Sequence, residues 1–331
     1  MYFRKDEPMK VFQKNPVPQN TVPTDFHITG KQTVFSYIKK KRYLYLMLIP
    51  AVIYFILFNY APMYGILIAF KDFNFKKGIW GSEWIGLENF RYMFQLDNFY
   101  TVFRNSIVLS FLRIIFTFPI PILLALFLND IKSSRYRKTM QTLFYLPHFV
   151  SWVVIGGILI NFLSPVNGVV NAVIESLGGE PIFFLAEDKY FKPIVVLTSI
   201  WKDSGWGTII YLAAITGISA ELYEAAKIDG ANRIQCLKYI TLPSIKSTVV
   251  IMLILRLGSI MNNGFEQIFI LQNSKNLGVS EVFETYTYRL GLLGGRYSFA
   301  TTVGLFTSVI GIVFLLASNR IANKLGEEGI W

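Results

Sequence analysis

At 331 residues the chain is long enough for two or three soluble domains, but 53% hydrophobic and only 16% charged residues, with a mean hydropathy of +0.44, exclude that organisation. The net charge of +11 sits at the edges of apolar runs and not in a stripe with stacking aromatics, which excludes a nucleic-acid surface. One cysteine, Cys236, excludes an intrachain disulfide and a cysteine metal cluster.

Residues 1–42 are polar, hold Pro16, Pro18 and Pro23, and show no apolar core ahead of a small-residue cleavage site. They are predicted to form a cytoplasmic tail that is not a cleaved leader. Six apolar runs follow, at about 43–70, 106–128, 143–163, 194–218, 248–271 and 299–317. Each reaches or nearly reaches the roughly 20 residues that carry a helix across a bilayer, where lipid offers the backbone no hydrogen-bond partner. The chain is therefore predicted to be an all-α integral membrane protein with six transmembrane helices, a membrane domain at 43–320 and a cytoplasmic C-terminal tail at 321–331.

Basic residues set the orientation. Lys39, Lys40, Lys41 and Arg42 precede the first run, and Lys132, Arg135, Arg137 and Lys138 follow the second. Lys227, Arg233, Lys238 and Lys246 follow the fourth, and Arg320 and Lys324 follow the sixth. All four sites are assigned to the cytoplasm, so both termini lie inside. Glu175, Glu180, Glu187 and Asp188 mark the connection after the third run as external. The connection after the first run dissents, with Lys71, Lys76, Lys77 and Arg91. Its Trp80, Trp84 and Phe90 predict an interfacial cap or lateral helix.

The connection at 219–243 is too polar to span and too well patterned for a slack loop. Ser219 can cap a helix and Gly230 can end it in the left-handed conformation. Ile234, Leu237 and Ile240 then recur at helical spacing towards Pro243, which predicts a helix–turn–helix exposed to the cytoplasm. Leu222, Ala225, Ala226 and Asp229 share one face, with Glu224 nearly opposite Leu222. Alanines allow another protein to approach closely and a carboxylate can pair with an arginine, so the segment reads as a docking element. The plainer alternative is a solvated amphipathic loop on the headgroups.

In the fifth run, Arg256, Ser259, Asn262, Asn263, Glu266 and Gln267 project onto one arc at 100° per residue. A polar stripe on a membrane helix points to a water-filled path or a subunit interface, and the path fits better. In the fourth run Trp201 and Trp206 are boundary anchors or sugar-stacking platforms. Lys202 and Asp203 beside them either face a cavity or a buried partner or form a local charge arrangement near the outer boundary, the second being at least as good a fit. Arg113 in the second run raises the same question of a buried partner. His27 and His148 are isolated, and His148 is expected to cap or pack rather than to ligate a metal.

Glu224-Ala225-Ala226, Gly230 and Ile240-Thr241-Leu242-Pro243, at this spacing in a cytoplasmic loop, resemble the full EAA signature of type I ABC importer permeases. Residues 84–90 (WIGLENF), 145–152 (YLPHFVSW), 201–206 (WKDSGW) and 264–269 (GFEQIF) resemble the carbohydrate branch. Within it they are most similar to permeases for complex oligosaccharides such as alginate and pectin fragments. The resemblance covers most of the chain beyond the N-terminal tail. It implies the six-helix type I permease fold, with a coupling helix between spans 4 and 5 seated in a cleft of a separate ATPase. Glu224 would then be the ion-pairing residue, Ala225 and Ala226 the contact surface and Gly230 the turn. Asp229, Leu242 and Pro243 complete that coupling set.

The implied partners are a second permease (expected to be a different, homologous chain), two copies of an ABC ATPase, an extracytoplasmic solute-binding protein, lipid and an oligosaccharide. Arg256, Asn262, Asn263, Glu266, Gln267, Trp201 and Trp206 would line the substrate path. The setting would be the plasma or inner membrane of a prokaryote. There is no Gly-x-x-x-x-Gly-Lys-Ser/Thr phosphate loop, so ATP and Mg belong to the partner. This chain is expected to bind no cofactor or metal and to be no enzyme. A permease for a non-sugar solute and an ATP-independent secondary transporter are the alternatives; the latter leaves the helix–turn–helix unexplained.

Overall fold

The computed structural model describes residues 41–327, 329 and 330, so the predicted N-terminal tail up to residue 40 lies outside the described residues. The chain divides at Pro62 into two units. The first holds helix α1 (Arg42–Phe55) and a π-helical turn at Ile56–Tyr60. These residues are apolar on every side and none is buried, as suits a helix whose surroundings are lipid. Helical backbone continues to Phe70, and Arg42–Phe70 forms a candidate span of 29 residues.

After Phe70 come two short antiparallel strands, β1 (Lys71–Asp72) and β2 (Glu83–Trp84), with Lys71 opposite Trp84. Lys71, one of the basic residues that dissent from the predicted orientation, is buried. Its Nζ donates to the carbonyls of Ile79 at 2.8 Å and Ser82 at 3.2 Å. It is therefore a strut of this hairpin and not a surface charge. Helix α2 (Glu88–Gln95) follows and buries Met93.

Helix α3 (Asp97–Leu112), a π-helical turn at Arg113–Thr117 and α4 (Pro119–Asp130) form one candidate span, Asp97–Asp130. It begins earlier than the apolar run does. Asp97, Asn98, Arg104 and Asn105 depress the hydropathy of its first turns, while Phe99 and Val102 pack in the core.

The third run is not one straight helix. Helices α5 (Ser134–Tyr145) and α6 (Trp152–Phe162) meet at 92°. Pro147 interrupts the ladder, and Ser151 caps α6 by accepting from the Val154 amide at 3.3 Å. After α7 (Val169–Ser176), the long α8 (Asp188–Thr216) turns by 66° into α9 (Ala220–Ile228). Helix α10 (Arg233–Cys236) and a π-helical turn at Leu237–Thr241 lead to α11 (Lys246–Gly258).

The fifth run breaks as well: α11 stops at Gly258, residues 259–264 are irregular, and α12 (Phe265–Leu271) restarts. Helices α13 (Leu277–Ser280) and α14 (Phe283–Thr287) precede the last candidate span, α15 (Tyr297–Lys324). Among the described residues three helices are long and apolar enough to cross a membrane unbroken. Counting each bent pair as one span raises the number to as many as six.

Three apolar clusters hold the second unit together. Phe99, Phe283 and Phe299 join α3, α14 and α15; Leu109, Val195 and Ile268 join α3, α8 and α12; Leu128, Tyr211 and Ile245 join α4, α8 and the start of α11. Helices α11 and α15 touch backbone to backbone, since a Cβ on Gly311 would lie 2.6 Å from the Gly258 carbonyl oxygen.

Candidate functional site

The loop at 219–243 folds through its own short-range hydrogen bonds. Ser219 Oγ accepts from the Glu221 amide at 3.3 Å and caps α9. At the other end Gly230 has φ +82°. This lets the Gly230 amide reach the Lys227 carbonyl at 3.1 Å and the Ala231 amide reach the Ala226 carbonyl at 2.8 Å, the paired bonds of a Schellman stop. Asn232 and Gln235 then cap each other across the start of α10: Gln235 donates its amide to Asn232 Oδ1 at 2.9 Å, and Asn232 donates its amide to Gln235 Oε1 at 2.7 Å.

The loop carries an open apolar and acidic surface. Helix α9 buries no residue, and Leu222 and Ile228 are 52% and 86% exposed. Glu224, Ala225, Asp229, Gly230, Leu242 and Pro243 are also exposed, and Ala226 is half-buried. Glu224 makes no ion pair or side-chain hydrogen bond among the described residues. Tyr223 ties the helix back through its hydroxyl, 2.9 Å from Thr241 Oγ1, and Arg233 Nη1 lies 3.2 Å from Asp130 Oδ2 at the end of α4. A desolvatable apolar surface carrying an unpaired carboxylate can dock on a basic cleft.

The polar residues of the fifth run do not form a stripe on one helix, because the run breaks at 259–264 and the projection fails across the break. Gln267 is fully buried and all four of its amide bonds are made inside the chain. Its Oε1 accepts from Arg113 Nη2 at 2.5 Å and Ser199 Oγ at 3.0 Å. Its Nε2 donates to the Val195 carbonyl and to Thr198 Oγ1, both at 2.8 Å. Asn263 is buried too: it accepts from Ser110 Oγ at 3.2 Å, donates to the Ser106 carbonyl at 3.4 Å, and gives its backbone amide to Glu284 Oε2 at 3.0 Å. These two residues brace α3, α8 and α12. Asn262 and Glu266 are exposed, and Arg256 is half-buried within electrostatic range of Asp203 and Glu284.

Trp201 and Trp206 are both largely exposed on α8, and Trp206 stacks on His148 with ring centroids 4.7 Å apart. Lys202 is buried and donates to the carbonyls of His148 at 2.6 Å and Val150 at 2.8 Å, holding the break between α5 and α6. His148 Nδ1 lies 3.2 Å from Asp203 Oδ1. Lys202 and Asp203 thus sit about 20 Å along α8 from its start at Asp188, by helical rise. His148 packs, as its isolation predicts, while His27 lies outside the described residues. Sequence reasoning missed Glu284 and Ser110. The Asn262-Asn263-Gly264 turn signal inside an apolar run could have exposed the break that gathers them.

The family model for the binding-protein-dependent transport system inner membrane component matches residues 103–326. Protein LplB of Bacillus subtilis (strain 168) is 46% identical over 89% of this chain and 92% of its own length. The polygalacturonan/rhamnogalacturonan transport system permease protein YteP of the same organism is 46% identical over 88% of this chain and 91% of its own. The fold is similar to a chain of the bacterial alginate ABC transporter solved in complex with alginate pentasaccharide-bound periplasmic protein. The TM-score there is 0.83 at 40% identity, covering 90% of this chain and 99% of that one. A bacterial ABC transporter involved in the import of the acidic polysaccharide alginate gives 0.81 at 42% identity, covering 88% and 98%.

Proposed function

The chain belongs to the binding-protein-dependent transport system inner membrane component family, and we propose that it is the permease chain of an ATP-driven importer that carries an oligosaccharide. It supplies half of a translocation path, pairs with a second permease, and receives substrate from an extracytoplasmic binding protein. Two copies of a separate ATPase drive it, and they hold the ATP and Mg. The observation that carries this reading is α9: a capped helix that buries no residue, leaves Leu222 and Ile228 open and holds an unpaired Glu224 presents an outer face with no partner in its own chain among the described residues. On this reading α9 is the coupling helix, and Glu224, Ala225, Ala226, Asp229, Gly230, Leu242 and Pro243 form the surface that meets the ATPase.

The bent pair α5–α6, α8 and α11 each make one crossing, which with the three unbroken spans gives six, with α9 and both termini in the cytoplasm. The exposed Trp201, Trp206, Asn262 and Glu266, with the half-buried Arg256, face the path. Asn263 and Gln267 hold its wall from behind. Indole faces suit the C–H faces of pyranose rings, and amide and carboxylate groups match sugar hydroxyls.

The test is uptake by the full complex reconstituted in proteoliposomes, offered neutral and acidic oligosaccharides in turn. Uptake of at least one oligosaccharide should require ATP and the binding protein. Uptake that persists without ATP would assign the chain to secondary transport, and uptake of a non-sugar solute alone would remove the oligosaccharide.

A further inference from the structure

A second feature lies on the inner side of the α9–α10 loop, away from the polar centre. Between the end of α4 and this loop is a cavity of about 830 Å³. Four cations line it, Lys132, Arg137, Lys227 and Arg233, against one carboxylate, Asp130. Arg233 is paired with Asp130 at 3.2 Å, while the side chains of the other three make no ion pair or hydrogen bond among the described residues. Lys132 and Lys227 are exposed and Arg137 is half-buried, so water screens their mutual repulsion, but together they give the hollow a positive potential that attracts an anion. The wall on the α4 side is apolar, formed by Leu126 and Phe127, and Phe127 is 52% exposed at the end of a candidate span.

We propose that this cavity binds the phosphodiester headgroup of an anionic phospholipid, with an acyl chain running along Leu126 and Phe127. Cationic rim and apolar wall meet at one end of a span, where a cytoplasmic-leaflet headgroup sits. Free phosphate is an anion like the headgroup but has no use for the apolar wall. The bound lipid bridges α4 to the loop that carries α9, alongside the single Arg233–Asp130 contact. The proposal rests on the membrane orientation of the reading above, and it needs no particular transported solute.

The test uses the full complex in nanodiscs of phosphatidylcholine, with or without a fifth of phosphatidylglycerol, and counts retained lipid by native mass spectrometry after release into detergent. The wild type should retain phosphatidylglycerol in preference to phosphatidylcholine. Lys132→Gln with Arg137→Gln should weaken that retention roughly twenty- to thirty-fold, at the usual contribution per cation near an anionic leaflet. Lys76→Gln with Lys77→Gln removes the same charge elsewhere and should leave retention unchanged.

Equal retention by the wild type and the Lys132/Arg137 variant overturns the proposal, as does equal loss in the Lys76/Lys77 control. Displacement of the lipid by millimolar inorganic phosphate or glycerol 3-phosphate overturns the lipid as occupant and leaves a free-anion site. ATPase co-purification is scored in the same preparations. Its absence counts against the transport reading alone, because lipid retention is read independently.

Discussion

At the scale of single residues, the polar centre is organised by Arg113. Its Nη2 bond to Gln267 is its only hydrogen bond among the described residues, and its Nε has no acceptor there. Gly264, at φ +79°, keeps the space open, since a Cβ there would meet Arg113 Nη1 at 3.3 Å. Removing the partner of a buried cation costs more than the bond itself contributes, because the cation stays desolvated. Gln267→Leu should therefore destabilise the chain by about 3 kcal/mol or more. Replacing both groups removes the desolvated guanidinium, so Arg113→Leu with Gln267→Leu should recover part of that loss, the remainder reflecting Glu284, which loses a cationic neighbour. Thermal melting followed by maleimide reactivity of the buried Cys236, the only cysteine, reads both variants. A double variant less stable than Gln267→Leu alone would show that Arg113 is held by contacts other than this amide.

At the scale of elements, the α9–α10 unit was legible in the sequence because its determinants are local. Ser219 and Gly230 act within a few residues, and each does so in the structure; the equally local Asn232–Gln235 pair went unread. The breaks in the third and fifth runs were not legible from hydropathy. An averaging window cannot see Ser151 restart a helix after Pro147, and it read Asn262 and Asn263 as one face of a helix that in fact ends at Gly258. The burial of Asn263 and Gln267 was hidden for another reason: their partners Ser110 and Arg113 lie 153 and 154 positions away. The local unit makes a clean experiment. Gly230→Val forces a β-branched residue into the left-handed region, where strain and not space is limiting, since nothing lies within 4 Å of a Cβ there. It should reduce co-purification of the ATPase, whereas Gly230→Asn, which tolerates that conformation, should retain it. Glu224→Lys should insert normally yet lose the ATPase and uptake, because it puts a cation against the basic cleft expected for α9. A Glu224→Lys complex that holds its ATPase and transports at the wild-type rate removes Glu224 from the docking surface.

At the scale of the whole molecule, the question is which bent pairs cross the membrane. Charge argues for six crossings with both ends inside, and the burial of Lys71 removes one of the few votes against it. Four serines placed between the candidate crossings can test each pair separately. Ser134 opens α5, Ser176 follows α6, Ser219 lies between α8 and α9, and Ser274 follows α12; all four are exposed. Ser280 is fully buried and would not report. In a Cys236→Ser background, single cysteines at Ser176 and Ser274 should react with a membrane-impermeant maleimide applied to intact cells. Cysteines at Ser134 and Ser219 should react only after permeabilisation. If α5–α6 entered and left on one side, its 92° bend being a re-entrant turn, the Ser134 and Ser176 positions would label together. If the break at 259–264 returned the chain to its starting side, the Ser219 and Ser274 positions would label together instead. Reversal at any two positions overturns the six-span arrangement, and the pair that fails identifies the bent helices that do not cross.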